Sequence, residues 1–249
     1  MKLNLHSRLL FVFFCFAGTL FAQQPSDLDM EGLSGKVKRI VEEIAPVKMK
    51  NGALKEGSRR RSREVIFDKQ GRVTYRWIQI LDFDANESNY SYDKNKRINR
   101  TKVIKPFAKP GEPEIMMLSS DIFRYDPAEN AIYEDVYAPG MTDSKIMTDS
   151  RIITQKYKFI FDRDNRLSER IMLTTNGKVV STDKYIYGEQ KLPTERRLSL
   201  LGNPRLQIIK YSYELDAQGN WIKRTAEKMM ANAAADKETE VTYRKISYY

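Results

Sequence analysis

From Leu33 onward, apolar side chains tend to fall at every second position, in runs ended by small clusters of Asp, Gly, Asn and Lys. Pairs spaced by two are Val65/Phe67, Tyr90/Tyr92, Phe123/Tyr125, Phe159/Phe161, Tyr185/Tyr187, Tyr211/Tyr213 and Val241/Tyr243. That spacing puts both members of a pair on one face of a β-strand. An Asp usually follows the second aromatic, where its carboxylate can accept bonds from the backbone two residues on. Gly or Asn then supplies the positive φ of a tight turn. Returning strands open on Val73, Ile98, Ile132, Leu167, Leu192 and Ile222, and further turns sit at Asn176-Gly177 and Gly202-Asn203.

Runs between turn signals number about 14, from 36–44 to 241–249, and their connections are short. The predicted fold is therefore all-β, an antiparallel meander of about 14 strands built from repeated hairpins. Open sheets of more than about ten strands curl or split. This one is expected to curl or roll into a single large sheet (a half-pipe, spiral or barrel) with the aromatic column as core on its concave side. Residues 226–236 break the pattern, because their Ala, Met and Glu content favours a short helix. Residues 33–249 read as one domain, preceded by a flexible segment, 23–32.

The seven residues Phe67-Asp68-Lys69-Gln70-Gly71-Arg72-Val73 recur as Tyr92-Asp93-Lys94-Asn95-Lys96-Arg97-Ile98 and as Phe161-Asp162-Arg163-Asp164-Asn165-Arg166-Leu167. Looser copies start at Tyr125, Tyr187 and Tyr213, and Gly188 replaces the Asp in one of them. This pattern resembles the YD repeat of RHS-type proteins, in the small secreted forms found in Gram-negative bacteria. The resemblance implies a curved β-sheet or shell. It brings no catalytic residues, and the toxin encapsulation of the large members does not carry over to a chain with so few repeats.

Composition narrows the chemistry. Residues 1–22 carry Lys2 and Arg8, an apolar run and Ala22 before a polar shift, the pattern of a cleaved secretory signal peptide. The single Cys and single His, Cys15 and His6, both lie in that segment. The chain beyond it thus excludes disulfides, thiol nucleophiles, His or Cys zinc sites and Ser-His-Asp arrangements. The formal net charge is +10. Two basic clusters are candidate anion-binding positions: Arg59, Arg60, Arg61 and Arg63, then Lys94, Lys96, Arg97, Arg100 and Lys102. The alternative is that they solvate an outer face and blunt sheet edges.

Asp183, Glu169 and Glu195 could serve carboxylate chemistry, but their spacing singles out no pair. Asp82, Asp84, Asn86 and Ser88 offer oxygen ligands at alternate positions, yet the run lacks the Gly and the twelfth-position Glu of a calcium loop. It reads as a polar turn, and no metal or cofactor is called for. Charged residues interrupt both faces of the strands around Glu169, Asp183, Lys184 and Lys245, which argues against a lipid-facing barrel. The expectation is an exported, non-catalytic binding or structural module of the cell envelope, periplasmic or extracellular, and not an integral membrane protein. Its expected partner is an anionic glycan or lipid headgroup rather than nucleic acid. A lipid or lipoprotein carrier and a carboxylate-based hydrolase are the alternatives.

Overall fold

The computed structural model describes residues 26–249 except 51–52, 81–83, 94–95, 105–114, 143–144, 190 and 232. A short helix, α1 (Asp27–Met30), precedes the strands β1 (Val37–Lys50), β2 (Ala53–Glu56), β3 (Arg60–Phe67), β4 (Val73–Gln79) and β5 (Ala85–Asp93). Then come β6 (Lys96–Ile104), β7 (Ile115–Asp126), β8 (Ala131–Thr142), β9 (Lys145–Phe161) and β10 (Leu167–Leu173). The last are β11 (Val179–Tyr187), β12 (Pro193–Leu200), β13 (Asn203–Leu215), β14 (Trp221–Met230) and β15 (Ala233–Tyr248).

From β3 to β15 each strand pairs with the next, and β3 pairs with β1. β2 folds back only on residues 47–50 of β1, as a spur. The other half of β1 pairs with β15, Ile40 opposite Ile246 and Glu42 opposite Arg244. The expected all-β antiparallel meander is present, but it is a closed 14-strand barrel rather than a curled open sheet. Closure removes the free edges that a curled sheet would expose. The described residues of 226–236 are not helical: β14 runs to Met230 and β15 starts at Ala233. Pairing of Ala226 with both Tyr211 and Glu240 overrides the helix propensity of that stretch.

Alternation puts the repeat aromatics on the lumen side, and the structure explains why the repeat exists. A bulge accompanies the turn in several units, between Ile66 and Phe67, Leu167 and Glu169, and Ile186 and Tyr187. The tyrosine of the next unit then donates its hydroxyl to the returning strand's first carbonyl. Tyr92 reaches Val73 at 2.7 Å, Tyr187 reaches Leu167 at 2.8 Å and Tyr213 reaches Pro193 at 2.8 Å. Each bond satisfies an acceptor that the disrupted ladder leaves over. In the turns, Asp68 and Asp162 each accept two backbone N–H groups and an arginine, Arg72 or Arg166. Those arginines in turn lie over Tyr92 and Tyr187. The last pair differs from expectation: Tyr243 faces outward against Arg59 and Glu56, and Ile246 with Tyr248 takes the inner positions.

Residues 26–33 cross the mouth of the barrel instead of trailing ahead of it. Ser26 caps α1 by accepting from the Asp29 N–H, and the Asp29 carboxylate bonds back to the Ser26 N–H. Leu28 packs on the cluster of Val37, Ile40, Val65, Phe67 and Val73, whereas Met30 packs on Ile132, Phe159 and Phe161 of the opposite wall. Gly71 is required at the contact: its φ is +79°, and a Cβ there would sit 2.8 Å from Leu28 Cδ1. Fully buried Asn220 bonds both the N–H and the C=O of Ser34 and also Tyr248. That residue pins the entry of the chain into β1.

Candidate functional site

Period-two alternation carries charged side chains into the lumen along with the aromatics. Arg63 stands two residues before Val65, Arg224 three after Trp221 and Arg244 two before Ile246. On the far wall, Arg97 of β6 is shared by Asp121 of β7 and Glu134 of β8, each 2.8 Å away. The α1 residue Asp27 completes that group from 3.7 Å, and its other oxygen accepts from the Val73 N–H and the Tyr92 hydroxyl. Burial pushes the Glu134 carboxyl up to about 7; Arg97 opposes that rise only in part, and neighbouring Asp121 adds to it.

Glu31, just after α1, forms ion pairs with Arg63 and Arg76. Burial disfavours its charge, but the two guanidiniums outweigh that cost and hold its pKa down at about 2. Glu42 on β1 accepts both a 3.0 and a 2.6 Å bond from Arg244 and is also paired with Arg63. Arg244 is itself pushed down by burial, which exceeds what Glu42 returns. Its guanidinium stacks 3.6 Å above the centre of Trp221, and Arg224 lies 4.9 Å from the same ring.

These groups form one side of a cavity of about 560 Å³ between residues 29–32 and the wall from β10 to β15. That volume suits a small-molecule ligand. Tyr185, Tyr187, Tyr213 and Trp221 supply aromatic surface, while seven Arg and Lys side chains face four carboxylates in the lining. Deeper in the wall, Asp183 is 1% exposed and receives Arg170 on one oxygen and Arg196 on the other. Arg224 has no carboxylate partner among the described residues. Its nearest polar contact is Thr242 Oγ1 at 3.4 Å, and its Nε and the Nη1 of Arg244 are buried without an acceptor.

The basic clusters expected from sequence divide between two surfaces. Arg63 and Arg97 lie in the lumen. Arg61 is outside, paired with Glu64 and stacked on Trp77, and Arg59 is outside over Tyr243. Arg60 stands opposite Ile44 in the β1–β3 ladder. Lys96, Arg100 and Lys102 alternate with Arg97 on the outer face of β6, and Lys94 lies outside the described residues. The three carboxylates also separate: Asp183 is inside, whereas Glu169 and Glu195 are outside with Lys184 and Arg197. Asn86 and Ser88 are on the lumen side, with Ser88 bonded to Thr101, and Asp82 is not among the described residues. Further ion pairs on the outer face join Arg39 to Glu64 and Glu43 to Lys245.

Arg170, Arg196, Arg224 and Arg244 escaped the sequence reading because none belongs to a long basic run. The available signal was parity with neighbouring inward residues, Arg224 with Ala226 and Arg244 with Ile246. Glu31 and Asp27 gave no periodic signal at all.

No protein-family model matches the chain, and no curated protein does. Among solved structures, a porin-like protein from Bacteroides vulgatus is similar over 86% of this chain and 98% of its own, with 12% identity and a TM-score of 0.41. A porin-like protein from Bacteroides uniformis covers 86% of this chain and 99% of its own, with 10% identity and a TM-score of 0.32. The likeness at this level does not extend to function. The expected membership of the YD-repeat proteins is overturned: the hairpins close into a barrel instead of extending a shell.

Proposed function

We propose that the protein is an exported, non-catalytic binding module of the cell envelope that holds an anionic ligand, a glycan or lipid headgroup, inside its barrel. The observation that carries this reading is the arginine- and tyrosine-lined cavity against Glu31 and Glu42. In a buried, low-dielectric space, guanidiniums that outnumber carboxylates favour entry of an anion. Catalysis is not favoured, because Glu31, Glu42 and Asp164 of the lining are paired with arginine and Asp29 is bonded to Ser26, so no two of these carboxylates stand free to act as acid and base.

The outer face supports a barrel standing in water. Ion pairs such as Glu169–Lys184 and Glu43–Lys245 occupy strand positions where a lipid-facing barrel needs apolar side chains, and a mid-membrane Lys or Arg costs about 2–4 kcal/mol. The amino-terminal pattern of residues 1–22 supports export. Calorimetric titration of the purified protein with acidic and neutral oligosaccharides and with phospholipid vesicles, repeated across salt concentrations, tests the reading. Binding of the acidic ligands that weakens as salt rises is expected. Absence of salt-sensitive binding to every one of them contradicts it.

A further inference from the structure

Resting on that reading, we propose that Arg224 is the anchor for the ligand's oxyanion, a carboxylate or phosphate on a hydroxylated, sugar-like body. The argument is one of compensation. Arg63 and Arg244 are committed to Glu42, Arg63 and Arg76 to Glu31, and Arg170 and Arg196 to Asp183. Arg224 lines the same cavity, yet no carboxylate among the described residues forms an ion pair with it. A guanidinium half withdrawn from water and left without an ion-pair partner is poorly compensated, and an incoming oxyanion would supply that partner in the fork geometry that arginine matches.

The surroundings set the rest of the ligand. Trp221 is 4% exposed and is covered by Arg244, so it holds Arg224 from one side. Tyr213 stands opposite Arg224 in the β13–β14 ladder, and its hydroxyl is already given to Pro193. Tyr185 lines the cavity, and its hydroxyl makes no hydrogen bond to another described residue. Aromatic faces with a hydroxyl nearby suit the apolar face and hydroxyl edge of a sugar ring better than an acyl chain, which would find few apolar side chains among so many cations.

The chain has two tryptophans, Trp77 on the outer face and Trp221 in the lumen. A Trp77→Phe protein therefore reports the lumen through Trp221 emission alone. We expect glucuronate and glucose 1-phosphate to change that emission, with glucose weaker, and Arg224→Gln to weaken both acids by about tenfold or more while leaving glucose unchanged. Arg224→Lys should restore part of the loss, and the melting temperature of each variant shows that it is folded. If Arg224→Gln does not fold, Arg224→Lys with Tyr185→Phe decides, since both should still weaken acid binding.

A wild-type protein that binds the acids in a salt-sensitive way, with Arg224→Gln binding them equally well, overturns the anchor but leaves the lumen reading standing. Acid binding lost in Arg100→Gln and kept in Arg224→Gln moves the site to the outer face and overturns both. No acid binding by the wild type removes the reading itself. A parallel arm with phosphatidylglycerol vesicles separates the sources: a Trp221 response to glucose 1-phosphate and not to vesicles assigns a free sugar acid, and the reverse overturns the sugar-like body.

Discussion

Around Arg97, three carboxylates (Asp27, Asp121 and Glu134) share one guanidinium, whereas around Glu31 and Glu42 three guanidiniums (Arg63, Arg76 and Arg244) share two carboxylates and a fourth, Arg224, stands near Glu42 without an ion pair to it. Both groups are built on the same barrel from the same alternation, and α1 with the residue after it contributes one carboxylate to each. The acid-rich group is closed on itself: Arg97 is paired with carboxylates of the chain, and the rings of Tyr90 and Phe123 flank its guanidinium. The arginine-rich group borders open volume and keeps donors without acceptors. Internal charge in one lumen thus serves two ends. Where each charged group finds its partner in the chain, the cluster holds the fold together, and where a guanidinium beside open volume has no ion-pair partner, the proposed reading gives that place to a ligand.

The largest expected effect breaks the first group. Arg97→Met leaves Asp27, Asp121 and Glu134 together without their cation, and a loss of about 3–5 kcal/mol in urea unfolding is expected. Next comes Glu31→Gln, which removes the carboxylate that ties the amino-terminal segment to Arg63 and Arg76. A loss of about 3 kcal/mol is expected, with faster hydrogen exchange confined at first to residues 26–34.

The pH dependence separates the two groups by sign. Glu31 has a folded pKa of about 2, below its ordinary 4.5, so its contribution is present above 4.5 and is lost as pH falls toward 2. Glu134 is raised to about 7, so its contribution is complete below 4.5 and is lost as pH rises through 7. Between them these carboxylates give a maximum near pH 4.5. Glu134→Gln should flatten the descent on the neutral side and Glu31→Gln the descent on the acid side, as read from melting temperatures across that range.

Smaller still is Tyr187→Phe, which strips the bulge carbonyl of Leu167 of its donor and should cost about 1 kcal/mol. Smallest is Arg224→Met. Because that arginine has no ion-pair partner, its removal should change stability by no more than about 1 kcal/mol in either direction, unlike Arg97→Met. Equal losses from the two substitutions would erase the distinction between the groups.

Much of the architecture is legible in the residues, because a hairpin is local. Val65/Phe67 with Asp68 and Gly71 define strand and turn within seven positions. Closure is not legible, since it depends on Val37 meeting Tyr248 across the whole chain and no local pattern announces it. Residues 226–236 misled for the converse reason: Ala and Met favour helix in isolation, and strands on both sides prevail. At the site, Arg63 and Arg97 were singled out as members of basic runs, but alternation turns them inward, away from Arg61 and Arg100. Arg224 and Arg244 lie on different strands, each beside a single outward lysine, and become neighbours only through Trp221. The four-residue helix is too short to leave a periodic signature, so the carboxylates of Asp27 and Glu31 could not be assigned to the lumen beforehand.

The most direct test of uncompensated positive charge in a closed lumen is anomalous diffraction from crystals soaked in iodide. The account predicts an iodide inside the barrel against Arg224, lost in Arg224→Met crystals and absent beside Arg97. Iodide found only on the outer clusters around Arg61 and Arg100, with the lumen empty of it, would contradict the account.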